Sequence, residues 1–226
     1  MSSSIESLKI VLIGEPYVGK TSIISQFVDK TFQEDIQSSS SGTFNSKRCI
    51  YGDNKSLRLD IWDTAGQEKY RSLTKMFYKD ANVAILVYNI TDKNSYEQLK
   101  EYWHIQVKES GPKDLLLVIC ANKSDLINEE QVDEGEARNY AKEIGALFFT
   151  TSAKNDYGIS DLFLQTAKKY LGVDDIRLQS HDEIKDNEDD VQNERMKKRG
   201  SVKLTKNQIK EKIRKQNIKN VANQLI

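Results

Sequence analysis

Residues 14–21 read GEPYVGKT, a stretch that fits the phosphate-cradling spacing G-x-x-x-x-G-K-[ST]. In such a loop the backbone N–H groups of Gly14, Glu15, Tyr17, Val18, Gly19, Lys20, Thr21 and Ser22 can face anionic oxygens, and the dipole of the following helix adds to them. Lys20 would reach the β- and γ-phosphates of a nucleotide and stabilise charge on a transferring phosphoryl group. Thr21 would offer its hydroxyl to Mg2+ bridging the same phosphates. Pro16 has no amide hydrogen and fixes φ at about −65°, so it cannot donate to phosphate, although its neighbours can. With Tyr17 it also sits where an incoming catalytic side chain would have to pass. These two residues therefore bear on hydrolysis more than on binding.

A second constellation is WDTAGQEKYRSLT, residues 62–74. It puts Asp63 at the end of an apolar strand, where a carboxylate can hold Mg2+ through water. The N–H of Gly66 could sense a γ-phosphate, and Gln67 could orient an attacking water. Farther on, NKSD (122–125) and TSAK (151–154) each follow a strand-like run. Open α/β sheets build ligand sites at such carboxyl ends. Asp125 can accept from two N–H donors that guanine presents and adenine does not, and a buried carboxylate left unpaired would penalise the wrong base.

The elements that must position these groups can be read from hydrophobic runs. KIVLI (9–13), LRLDIW (57–62), VAILVY (83–88), LLLVIC (115–120) and LFF (147–149) are continuous and apolar, as buried strands of a largely parallel sheet are. The turn signal GDN joins FNSKRCIY to KSLRL as a hairpin. Helical spacing appears in TSIISQFVDK, SYEQLKEYWHIQVKE and ISDLFLQTAKKYL. Strands alternating with helices predict an open α/β sheet covered on both faces.

Composition narrows the classes further. The chain has 226 residues, enough for one ordinary domain and a remainder. No apolar run approaches the roughly 18 residues of a membrane span, and MSSSIESLKI lacks the order of a signal peptide, so a cytoplasmic location is expected. Cys49 and Cys120 are the two cysteines, too few for a disulfide framework or a four-cysteine zinc site; buried free thiols are the simple reading. Formal charge is zero overall, but from Gly172 onward thirteen Lys and Arg face ten Asp and Glu. Neither part reads as a nucleic-acid binder.

GEPYVGKT, WDTAGQE, NKSD and TSAK, in this order and spacing, resemble the Ras superfamily of small GTPases. KYRSLT, FYKDA and VYNITDKNSYEQLKEYW look specifically like its Rab branch. The resemblance covers about residues 7–171. It implies a P-loop NTPase fold with a mostly parallel six-stranded sheet and five helices, binding of GTP, GDP and Mg2+, slow GTP hydrolysis, and effector recruitment in vesicle traffic. Intrinsic turnover on the order of 10⁻⁴ s⁻¹ would call for an activating protein, and nucleotide exchange for an exchange factor. The resemblance also implies that Asn122 and Lys123 secure the base loop, that Ser152, Ala153 and Lys154 complete the guanine pocket, and that Phe32 packs against the base. Phe44, Trp62 and Phe77 match the aromatic trio through which Rab proteins meet effectors.

Two regions depart from the family pattern. Where the family has a threonine that binds Mg2+ in the GTP state, this chain has QSSSSGTF. Counting from Thr21 selects Ser39 and counting back from Asp63 selects Ser40; Ser39 is preferred because turns tolerate insertion better than metal sites tolerate shifts. The second is the segment 172–226, read as a charged tail. Residues 174–194 carry nine acidic and two basic side chains, and 195–219 carry eleven basic and one acidic. Blocks of this kind usually stay unfolded, although Leu204, Thr205, Gln208 and Ile209 would suit the start of an induced helix. No cysteine follows Cys120 and residue 2 is serine, so no lipid anchor is expected. The basic block could be drawn peripherally to anionic membrane, with Ser201 as a phosphorylation switch on that attraction; a solvated tail is the alternative. The main reading is a GTP-hydrolysing switch. Its rival is a nucleotide-bound adaptor that does not cycle.

Overall fold

The computed structural model describes residues 6–34, 43–64 and 77–179. The strands are β1 (Glu6–Ile13), β2 (Thr43–Tyr51), β3 (Lys55–Asp63), β4 (Val83–Asn89), β5 (Leu116–Asn122), β6 (Leu147–Thr150) and β7 (Ile176–Leu178). The helices are α1 (Lys20–Asp29), α2 (residues 93–110), α3 (Glu134–Glu143) and α4 (Ile159–Leu171), with a 3-10 turn over Ser124–Glu129.

One mixed sheet runs in the order β6-β5-β4-β1-β3-β2-β7. β1 pairs in parallel with β3 and β4, β4 with β5, and β5 with β6. β2 is antiparallel to both of its neighbours. The β2–β3 hairpin closes through Gly52, Asp53 and Asn54. Gly52 and Asn54 both take positive φ, and the Asn54 N–H donates to the Gly52 carbonyl at 2.7 Å, as the GDN signal predicts.

The most continuous apolar runs, in β1, β4 and β5, are strands largely buried on both faces, whereas β3 alternates buried with more exposed residues and β6 is half-buried. Leu8, Ile10 and Leu12 of β1, Val83, Ile85 and Val87 of β4, and Val118 and Cys120 of β5 share one core with Ile23 and Phe27 of α1 and Leu162 and Phe163 of α4. The Phe27 and Phe163 rings stack there with centroids 4.0 Å apart. Alternate residues, Val11, Ile13, Ala84, Leu86, Tyr88 and Ile119, form the second core with Leu99, Trp103 and Val107 of α2 and Ala137 and Ala141 of α3. Both cysteines are free and buried, and burial pushes each thiol up to about 12.

The fold class follows the expectation, with a correction to the strand count. The six expected strands are joined by a seventh, β7, which pairs Leu178, Arg177 and Ile176 with Cys49, Ile50 and Tyr51 on the outer edge of β2. It comes from the segment read as charged tail. A three-residue strand preceded by Asp174 and Asp175, with Arg177 at its centre, has no hydrophobic period long enough to announce it; it forms because β2 offers unpaired backbone. Of the five expected helices, four α-helices are found among the described residues.

Candidate functional site

The strand order reverses at β1 and β4, since the chain passes from β1 rightward to β3 and then back across to β4. Ligand crevices in open α/β sheets lie outside the carboxyl ends of the strands at that point. The loop 14–19 leaves β1 there, Asp63 ends β3, Asn122 ends β5, and Thr151 follows β6.

The loop's glycines are required by its path. Gly14 takes φ 150°, and a Cβ on it would stand 2.3 Å from the Val87 carbonyl oxygen; Gly19 takes φ 96°, and a Cβ there would meet Asn122 Nδ2 at 2.4 Å. Tyr17 also adopts a positive φ, 64°, which is costly for a bulky side chain, and its ring is 72% exposed. Val18 is buried, and its carbonyl accepts from Asn122 Nδ2 at 2.8 Å. Asn122 therefore ties the loop to the end of β5. Its Oδ1 accepts from the Thr151 hydroxyl at 3.1 Å, so the β6 end is joined to the same network.

Lys20 opens α1 with its ammonium turned back into the loop. Nζ donates to the carbonyls of Gly14 and Glu15, both at 2.8 Å. The side chain is buried, and desolvation lowers its pKa from 10.5 to about 8 against the opposing pull of Asp63 and Glu15. A buried cation held on carbonyls is matched to a polyanion, whose arrival would replace the lost solvation. Beside it the Thr21 hydroxyl donates to Asp63 Oδ2 at 2.6 Å. Thr64 is fixed just behind, donating from its hydroxyl to the Leu12 carbonyl at 2.7 Å.

Hard oxygen donors at Thr21 and Asp63 suit Mg2+, which retains waters and takes phosphate oxygens as ligands. Among the described residues no three His, Cys, Asp or Glu side chains gather to hold a metal by themselves. The donor set thus fits a cation that arrives with a phosphorylated ligand. Ser39, Ser40, Gly66 and Gln67 lie outside the described residues.

On the base side, Asp125 Oδ1 accepts from the Ser152 hydroxyl at 2.6 Å, and Ser152 Oγ in turn accepts from the Asn155 N–H at 3.1 Å. Lys123, two residues before Asp125, is in the left-handed region at φ 66°. Desolvation lowers its pKa, while Asp125 and Asp92 pull it up. Ala153 is buried, and Lys154 reaches across to Glu34 Oε1 at 2.7 Å. A second pair, Lys30 to Asp156 at 2.8 Å, ties the stretch after α1 to the same loop. Phe32, between Lys30 and Glu34, is 36% exposed. Ser22 lies in the first turn of α1.

On the far side of β2 and β3, Phe44 and Trp62 have ring centroids 5.1 Å apart, and Trp62 and Phe77 6.0 Å. The three therefore form one patch, with Phe44 51% exposed. Sequence reasoning places all of these residues but misses two that complete the site. In the sequence Thr151 stands out only as the first residue of TSAK. Trp103, whose indole donates to Glu15 Oε1 at 2.8 Å, comes from 88 residues away with no local signal.

Residues 9–172 match the model of the Ras family. Rab-22A of Homo sapiens is 37% identical over 171 residues, which is 76% of this chain and 87% of that protein. The GTP-binding protein ypt5 of Schizosaccharomyces pombe is 40% identical over 162 residues, 71% of this chain and 76% of its own. Rab-22A of Mus musculus is 36% identical with the same coverage as the human protein. Because the family match runs from β1 to the end of α4 and these relatives align over most of their length, the chain belongs to the Ras family of small GTPases, in its Rab branch.

Proposed function

We propose that this chain is a guanine-nucleotide switch that binds GTP and GDP with Mg2+, hydrolyses GTP slowly and recruits effectors in vesicle traffic. The observation that carries this reading is the buried Lys20 ammonium on the Gly14 and Glu15 carbonyls, with Thr21 and Asp63 hydrogen-bonded next to it. Loop amides and Lys20 would bind the phosphates. Mg2+, when bound through Thr21, Asp63 and Ser39, would neutralise charge on the β- and γ-phosphate oxygens. Asp125, oriented by Ser152, would accept from guanine, with Asn122, Lys123, Ala153 and Lys154 shaping the pocket and Phe32 against the base. Gln67 would orient the attacking water, and charge developing in the transition state would meet Lys20.

Regulators and effectors come with the family. We assign effector contact to the switch regions and to the patch of Phe44, Trp62 and Phe77, since the exposed Phe44 ring continues into two half-buried aromatics and contiguous apolar surface of this kind marks interaction sites. A cytoplasmic location with peripheral contact to anionic membrane through the basic block 195–219 completes the reading; vesicles rich in phosphatidylserine should then sediment the full chain at low salt.

The test is direct. Nucleotide released on denaturing the purified protein should be guanosine di- or triphosphate, and single-turnover GTP hydrolysis should accelerate with a Rab-activating protein. Bound guanine nucleotide with no hydrolysis under either condition would favour the non-cycling adaptor.

A further inference from the structure

Helix α2 is not regular. Lys93–Gln98 and His104–Ser110 are α-helical, but Leu99–Trp103 between them is a π-turn in which the His104 N–H donates to the Leu99 carbonyl, five residues back. Such a turn widens the helix by one residue and re-aims the side chains it carries. It is less favourable than an α-turn and is commonly found at functional sites. Here its last residue is Trp103, 2% exposed, whose indole N–H reaches Glu15 Oε1 at 2.8 Å.

Glu15 is the first residue of the phosphate loop after Gly14, and its carbonyl accepts from Lys20 Nζ. Pro16 follows it and confines its backbone to extended conformations. Glu15 is therefore held by Trp103 on the side chain, by Lys20 on the carbonyl and by Pro16 on ψ. A carboxylate beside a polyphosphate site repels its ligand unless it is held away by a donor of its own.

We propose that Trp103 is a positioning residue for the phosphate loop: the π-turn delivers its indole N–H to Glu15, and through the Glu15 carbonyl this sets the Lys20 ammonium and the hold on nucleotide. The inference rests on the guanine-nucleotide reading above and adds that helix α2 controls nucleotide retention. It also gives the irregular turn a purpose, since a sequence that breaks a local rule commonly does so where a site requires it.

The experiment is a double-mutant cycle on GDP release. Glu15→Ala and Trp103→Phe should each speed release from the full chain by about tenfold, the scale of a lost hydrogen bond to a charged group. The double variant should be no faster than either single one. Glu15→Gln, which keeps an acceptor for the indole, should fall between Glu15→Ala and the unaltered chain. In a Trp62→Phe background, where Trp103 is the remaining indole, Glu15→Ala should shift the emission, and this readout does not require a Trp103 variant to fold. Additive release rates, or an unchanged emission, would overturn the proposal, as would variants that lower the urea midpoint without altering release. An unaltered chain that holds no guanine nucleotide would instead defeat the switch reading itself.

Discussion

At Gly19 a methyl group would stand 2.4 Å from Asn122 Nδ2 on a backbone at φ 96°, so the substitution Gly19→Ala meets strain and collision together. Those terms cost about 2–4 kcal/mol, and nucleotide affinity should fall by about 30-fold or more, measurable by titration of the stripped protein with fluorescent GDP. Lys20 offers a pH test. Its pKa in the nucleotide-free fold is lowered to about 8 from 10.5, so the unfolded chain binds more protons between those values and stability should rise with pH through that window. The charged form costs the fold up to about 3 kcal/mol below it. Urea midpoints of nucleotide-free protein at about pH 7.5 and 9.5 would show the gain; flat midpoints would contradict it. GTP should restore the charge and take up a proton on binding in the same window, which calorimetry in buffers of different ionisation enthalpy detects. At this scale Lys20, Thr21, Asp63, Asn122 and Asp125 are legible in the sequence because each lies in a short run whose spacing reflects its chemistry. Trp103 is not, because its contact with Glu15 depends on how two distant elements cross.

The strands are legible for a different reason. Burial on both faces removes the polar half of the usual alternation, leaving uninterrupted runs such as VAILVY and LLLVIC. Helix α3 shows the opposite case: it buries Ala137 and Ala141 with Tyr140 packed beside them, and the rest of EGEARNYAKE is glycine or polar and charged, so little hydrophobic period remains to read. Its start is nevertheless marked, since Asp133 accepts from the Glu136 N–H at 2.8 Å. Asp133→Ala should lower stability by about 1 kcal/mol, seen as a shifted urea midpoint at unchanged slope. Nucleotide release should barely change, because the cap touches neither the phosphate loop nor the base loops. The π-turn in α2 is likewise silent in sequence, as 99 and 103 would share a buried face in either kind of helix.

At the scale of the sheet, the loop 14–19, Asp63, Asn122 and Thr151 all hang from the carboxyl edge of its strands, so strand order sets their spacing more than any single loop does. The ladder from β6 to β3 is parallel, and β2, antiparallel to both β3 and β7, lies outside it with β7 on its outer edge. On that side Ile176–Leu178 cover Cys49–Tyr51 at the end of β2, and they are synthesised after every other described strand. Until Leu178 leaves the ribosome, the backbone of Cys49–Tyr51 is a bare template, and bare strand edges recruit copies of themselves. A chain cut after Asp175 should keep its nucleotide site yet self-associate as concentration rises, visible in sedimentation velocity, whereas one cut after Gln179 should stay monomeric. The last short strand would then serve as a guard against clumping in a newborn protein.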